Sequence, residues 1–195
     1  MAVRVWLEGG GRADATRERR CEDGEVTTGV TLLMDAALEG HERVVEVLLQ
    51  HGAEANVQDS GGWTALMWAA AQGHIRLVEL LRRHGADAEV RDNDGGTALM
   101  AAAGKGRLPV VRCLLQAGAD TKARSAEGKS ALQYAKDAAK LATDDASAPE
   151  TDHAGCVRAL TEHAAALREA EAAKKAAEKA LEAKGRREQR EREEA

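Results

Sequence analysis

Between residues 31 and 133 the apolar positions fall into two alternating kinds of run. The first is short and built around alanine: Leu33, Met34, Ala36 and Ala37, then Leu66, Met67, Ala69 and Ala70, then Leu99, Met100, Ala102 and Ala103. The second places bulkier residues at helical spacing: Val44, Val45, Leu48 and Leu49; Leu77, Val78 and Leu81; Val110, Val111, Leu114 and Leu115. Apolar positions three and four apart share one helix face, so each run predicts a short helix with one buried side. Thr31, Thr64, Thr97 and Ser130 stand where a hydroxyl can cap the first helix of each pair. Gly40, Gly73 and Gly106 stop that helix, and Gly52, Gly85 and Gly118 stop the second. Polar turn segments such as Asp59-Ser60-Gly61-Gly62 and Asp92-Asn93-Asp94-Gly95-Gly96 predict tight projecting loops.

All of these positions recur in steps of 33 residues without a gap. A fixed period of this length is the signature of a solenoid, in which each helix pair buries its apolar side only against its neighbours. Composition agrees. Of 195 residues 41 are alanine, while there is no Phe, one Tyr and three Trp. A core of such small side chains lets helix backbones approach closely, and the bulkier Leu, Ile and Val concentrate between residues 31 and 133.

The segment Thr64-Ala65-Leu66-Met67-Trp68-Ala69-Ala70, with Gly73-His74, Leu77-Val78, Leu81 and Gly85-Ala86-Asp87 after it, resembles the ankyrin repeat. The family's usual Pro and His of the opening are replaced here, by Ala65 and Met67 in this unit. The resemblance implies an all-α ankyrin repeat solenoid of helix-turn-helix units with projecting loops. It places repeats at about 31–62, 63–96 and 97–129, followed by a degenerate cap at 130–163. Cys156-Val157-x-Ala159-Leu160 repeats Val110-Val111-x-Cys113-Leu114 after 46 residues instead of 33, which implies a 13-residue insertion near 143–152.

Two flanks surround the 25–163 repeat domain. Residues 1–24, with the glycines Gly9 to Gly11 and mixed charge, read as a mostly flexible N-terminal segment. Residues 164–195 read as a charged helix of Ala, Glu, Lys and Arg, with Glu171–Lys175 and Glu182–Arg186 at the favourable i,i+4 spacing. Leu160, Leu167 and Leu181 share a heptad position that Lys174 interrupts, a weak coiled-coil signal.

The net charge of −5 is spread along the chain, with no basic block to suggest nucleic acid or an anionic membrane. Three cysteines without paired spacing argue against a disulfide framework and for a reducing compartment, cytoplasmic or nuclear. No 18-residue apolar stretch offers a membrane span. Ala123-Arg124-Ser125-Ala126-Glu127-Gly128-Lys129-Ser130 matches a loose phosphate-loop pattern, but that chemistry needs a strand ahead of the loop and a helix is expected instead. His41 and His74, like His51 and His84, repeat at the helix-stacking interval, too far apart to converge on one ion. Cys113 and Cys156 read as small core residues, and no thiol has a matched His and acid. The expectation is therefore a non-enzyme without cofactor or metal.

Partners of ankyrin repeats usually dock on the concave face of loop tips and first helices. Carried onto this chain, the resemblance implies contacts at Ser60 and Trp63, Asn93 and Asp94, and Glu127 and Lys129 on the tips. It adds Asp35, Trp68 and Tyr134 on the first helices, and Gln72 and Lys105 where those helices end. Three of the four aromatics, Trp63, Trp68 and Tyr134, fall on these positions, and rings are enriched in binding hot spots. The partner expected is a protein, bound by a monomer as an interaction module or scaffold. The alternative is a regulatory or adaptor part of a larger assembly, acting through the charged C-terminal helix. Asn56, within Glu54-Ala55-Asn56-Val57, resembles the ankyrin asparagine modified by an oxygen-dependent hydroxylase.

Overall fold

The computed structural model describes residues 10–20, 26–141 and 151–193. Its backbone divides into two units, Met1–Leu160 and Thr161–Ala195.

The first unit opens with a hairpin of β1 (Thr16–Arg20) and β2 (Val26–Thr31), paired antiparallel with Thr16 opposite Thr31 and Arg20 opposite Val26. A bulge interrupts the ladder between Arg17 and Arg19. The strand β1 lies inside the segment read from sequence as mostly flexible. Its sequence Thr-Arg-Glu-Arg-Arg has no apolar alternation, so its order comes from the edge that β2 offers.

Helix pairs follow: α1 (Leu32–Leu38) and α2 (Glu42–Gln50), α3 (Ala65–Gln72) and α4 (Ile75–Arg83), α5 (Ala98–Gly104) and α6 (Leu108–Gln116). The helix α7 (Ala131–Leu141) starts a fourth pair, and α8 (His153–Glu193) supplies its second member through Leu160. The hydroxyls of Thr31, Thr64 and Thr97 accept from the backbone N–H of Met34, Met67 and Met100 at 3.2, 3.3 and 3.4 Å, and Ser130 does the same for Gln133. The turn glycines Gly40, Gly73 and Gly106 sit at positive φ, where an L side chain would be strained.

Helices α1, α3, α5 and α7 pack on one another more closely than α2, α4 and α6 do. Alanine is the reason: Ala37, Ala69, Ala70, Ala102 and Ala103 are fully buried, and their small side chains let these backbones approach. The first helices are therefore the closer-packed layer, on the side that the resemblance implies is concave. The second helices supply the bulk of the core through Val45, Leu48, Leu77, Val78, Leu81, Val110, Val111 and Leu114, all inaccessible.

Equivalent side chains tie each repeat to the one before it. The ring of His74 bonds the Leu38 carbonyl at 3.1 Å, Arg107 Nε donates to Ala71 at 3.1 Å, and the His153 ring meets Gly104 at 3.2 Å. Thus His153 stands 46 residues after Arg107 yet makes the same kind of contact. Thr151 and Asp152 are described; residues 142–150, which hold most of the insertion read near 143–152, lie outside the described residues. Asn56 bridges likewise, donating to the Gly85 carbonyl at 3.1 Å and accepting from the Asp87 N–H at 2.8 Å. Asn56→Ala removes both bonds and should lower stability by about 1 kcal/mol, read as a shifted urea midpoint with an unchanged slope.

Cys156 is fully buried at the position of Val110, whereas Cys113 is only half-buried, at the edge of the core like Val47 and Leu80. Burial, with Asp152 adding its charge, pushes the Cys156 thiol up to about 11. Unfolding restores an ordinary thiol, so this group's contribution is complete below the unfolded value of 9.0 and is lost between there and about 11. Stability should accordingly fall by up to about 1.4 kcal/mol per pH unit in that window through this group. Denaturant titrations at pH 8.5 and 10.5 should show Cys156→Val, with the residue of the equivalent repeat, losing less stability than the native chain.

The second unit is the helix α8 from Thr161 onward. Its side chains through residue 181 are almost all exposed, Leu167 and Leu181 included.

Candidate functional site

The first two loop tips owe their shape to one side chain each. The backbone N–H of Asp59 donates to the Trp63 carbonyl, and its Oδ1 accepts from the N–H groups of Gly61 and Trp63, both at 2.9 Å. Asp92 repeats this turn around Gly96, its Oδ1 accepting from Asp94 at 3.0 Å and Gly96 at 2.6 Å. Ser125 holds the same place in the next loop without a carboxylate, and its Oγ is buried with no partner among the described residues. Successive tips are linked: Ser60 N–H to Thr28, Asn93 N–H to Gly61, and Ala126 N–H to Asp94. Gly62 is fixed by this linkage, since a Cβ there would come within 2.6 Å of the Asn93 nitrogen at φ +79°.

Four of the residues expected to meet a partner converge. Trp63, Asp94, Lys105 and Tyr134 line a pocket of about 290 Å³ on the concave side, with Met67, Met100, Ala101 and Gly104 between them. Thr97, Asp92 and Gly96 complete it. Trp63 and Tyr134 are both half-buried, which leaves part of each ring available for contact.

The others lie outside this pocket, and most make contacts within the chain. Trp68 stacks on Trp63 at 4.6 Å between centroids, and its indole N–H donates to Asp59 Oδ2 at 3.2 Å. Asp35 forms an ion pair with Arg17 and lies 3.6 Å from Arg19 of β1. Arg19 also reaches Glu39 at 3.7 Å and sits over the Trp68 ring at 6.0 Å. The hairpin therefore covers the acidic first-repeat end of the concave face. Ser60 and Asn93 hold adjacent tips together, the Ser60 hydroxyl accepting from the Thr28 N–H and the Asn93 amide donating to the Ser60 carbonyl. Lys129 pairs with Glu127 at 3.0 Å and Asp137 at 3.5 Å and lies over the Tyr134 ring at 5.8 Å. The Gln133 amide and Lys129 hold the Asp137 carboxyl below the usual carboxylate range. Gln72 is exposed and lines a separate, more polar depression with Arg107, Leu108 and Asp152.

The sequence reading missed Asp92 as a lining residue and Arg19 as a contact. Asp92 was accessible to it, because Asp59 precedes it by the repeat step and holds the same turn.

The loop that matched a phosphate pattern follows the helix α6, and Ser130 in it caps α7. Among the described residues, no group of three His, Cys, Asp or Glu is placed to hold a metal, and no helix is long and apolar enough to cross a membrane.

Two family models match, described as ankyrin repeats (3 copies) over residues 2–92 and ankyrin repeats (many copies) over residues 81–135. The chain is an ankyrin-repeat protein. No curated protein compared with it matches. Ankyrin repeats are protein–protein interaction modules of a non-catalytic fold. In this ankyrin stack the aromatic pocket joins three successive repeats, since Trp63, Ala101 and Tyr134 come from the second, third and fourth.

Proposed function

We propose that the chain captures a partner protein on the concave face of its ankyrin stack, centred on the pocket between Trp63 and Tyr134. The observation that carries this reading is the pocket itself, an apolar depression framed by two of the chain's four aromatic rings. Aromatic anchors of this kind account for a large share of binding energy when truncated. Around it Asp94, Lys105, Glu127 and Lys129 supply charges suited to a polar rim.

The test is quantitative binding of a partner isolated by pull-down. Trp63→Ala with Tyr134→Ala should weaken capture at least about tenfold while the helical signal persists. Trp68 is unsuited to the test because its indole supports the Asp59 turn, so its loss perturbs the tip as well as the surface. Unchanged capture by the double variant would remove the concave-face reading.

A second reading is favoured by the exposure of Leu167 and Leu181 on a charged helix. There the chain serves as a regulatory or adaptor part that acts through Thr161–Ala195. Deleting those residues should then abolish capture, whereas on the first reading it leaves capture intact. Either way we place the protein in a reducing compartment as a monomer, with Cys113 and Cys156 as free thiols.

A further inference from the structure

We propose that the pocket between Trp63 and Tyr134 accepts an arginine side chain of the partner, with its guanidinium on Asp92. This rests on the concave-face reading and specifies the chemistry of the occupant.

The argument comes from comparing two successive repeats of this chain. At the tip that leads into the second, Asp59 Oδ1 shapes the turn while Oδ2 accepts the Trp68 indole N–H, and the ring covers the carboxylate, leaving Asp59 only 7 % exposed. At the tip that leads into the third, Asp92 Oδ1 shapes the turn in the same way, but the residue equivalent to Trp68 is Ala101. Among the described residues no donor reaches Asp92 Oδ2, and Asp92 is half-buried where Asp59 is buried. The space that an indole fills in one repeat is thus the pocket of the next, with an open carboxylate oxygen at its edge. A flat side chain that carries N–H donors fits that description.

Charge and an internal precedent select arginine. Of the charged lining residues, Asp92 and Asp94 outnumber Lys105. A guanidinium is planar, permanently charged, able to bond a carboxylate with two N–H groups and able to stack on aromatic faces. An indole would offer one N–H and no charge. The protein already shows this pairing one step along the same face, where Arg19 of β1 lies over Trp68 and beside Asp35 and Glu39. An arginine's apolar stem would cross Met67, Met100 and Ala101, as such stems commonly do over apolar surface.

The probe is an acetylated, amidated Gly-Ser-Arg-Ser-Gly peptide, titrated into the full chain and followed by methyl chemical shifts, with the citrulline isostere as control. The arginine peptide should give saturable shifts at Met100 and Ala101 that the citrulline peptide does not. Asp92→Asn keeps the Oδ1 acceptor of the turn but places an amide at the open position, and should weaken binding at least about tenfold. Ala101→Trp should abolish binding by filling the pocket from within, as Trp68 does in its own repeat. Lys105→Glu should tighten it. Thermal melts of each variant separate these effects from unfolding.

Equal shifts with citrulline, shifts indifferent to Asp92→Asn and Ala101→Trp, or none up to about 10 mM peptide would overturn the proposal. If the peptide fails while Trp63→Ala with Tyr134→Ala still disrupts partner capture, only the arginine assignment falls. If both fail, the concave-face reading falls with it.

Discussion

Leu99→Ala is expected to cost about 3–5 kcal/mol, the upper range for deleting a buried leucine. Leu99 is 1 % exposed in α5, the first helix of the third repeat. The helices α3 and α7 pack on either side of α5, and α6 packs behind it, so packed helices bound the cavity and limit its collapse. The site is also central in a chain of nearest-neighbour interfaces, and a solenoid has no distant contacts to compensate for a weakened one. Equilibrium denaturation should show a large drop in midpoint. A broadened or split transition would follow if the repeats on either side of α5 uncouple. A loss below about 1 kcal/mol would mean that the third repeat is far less tightly packed than its burial indicates.

Ala70→Leu tests the opposite fault and should cost about 2–3 kcal/mol through overpacking. Ala70 is fully buried in α3, between α1 and α5. Leucine there has helix propensity comparable with alanine, so any loss comes from steric conflict and not from the helix itself. Relief requires α3 to move away from a neighbour, which would disturb Met67 and hence the pocket floor. The measurement is urea unfolding beside Gln72→Leu, an exposed residue on the same helix, which should change stability by less than about 0.5 kcal/mol. Equal effects at the two positions would contradict the account of alanine as the residue that sets the spacing of the first helices.

Features that repeat with the period were legible from the sequence. Thr64 and Thr97 cap helices, Gly73 and Gly106 turn the chain, and Ala69, Ala70, Ala102 and Ala103 mark the closest helix contacts. Each leaves the same physical mark 33 residues later, so one unit interprets the next. The strand β1 was not legible. Its residues are polar throughout, and its pairing with β2 depends on tertiary proximity instead of a local apolar pattern.

That omission altered the reading of the site. Asp35 occupies the same repeat position as Trp68, Ala101 and Tyr134, so sequence alone treats it as an available contact. Arg17 and Arg19 engage it from β1. Sequence places Trp63 on a tip and Tyr134 on a first helix, and the structure brings both to one depression, whereas Asp92 reads in sequence only as turn chemistry. Its second oxygen lacks the indole partner that Asp59 has, because Ala101 replaces Trp68 at a position nine residues later. No linear pattern announces such a difference; it appears when two folded repeats are compared.

The most direct measurement is amide hydrogen exchange of the full chain with and without its isolated partner bound. Docking on the concave face predicts added protection in residues 60–68, 92–105 and 130–137, with the Thr161–Ala195 helix unchanged. Protection confined to that helix, with the loop tips and first helices exchanging as in the free protein, would contradict the account.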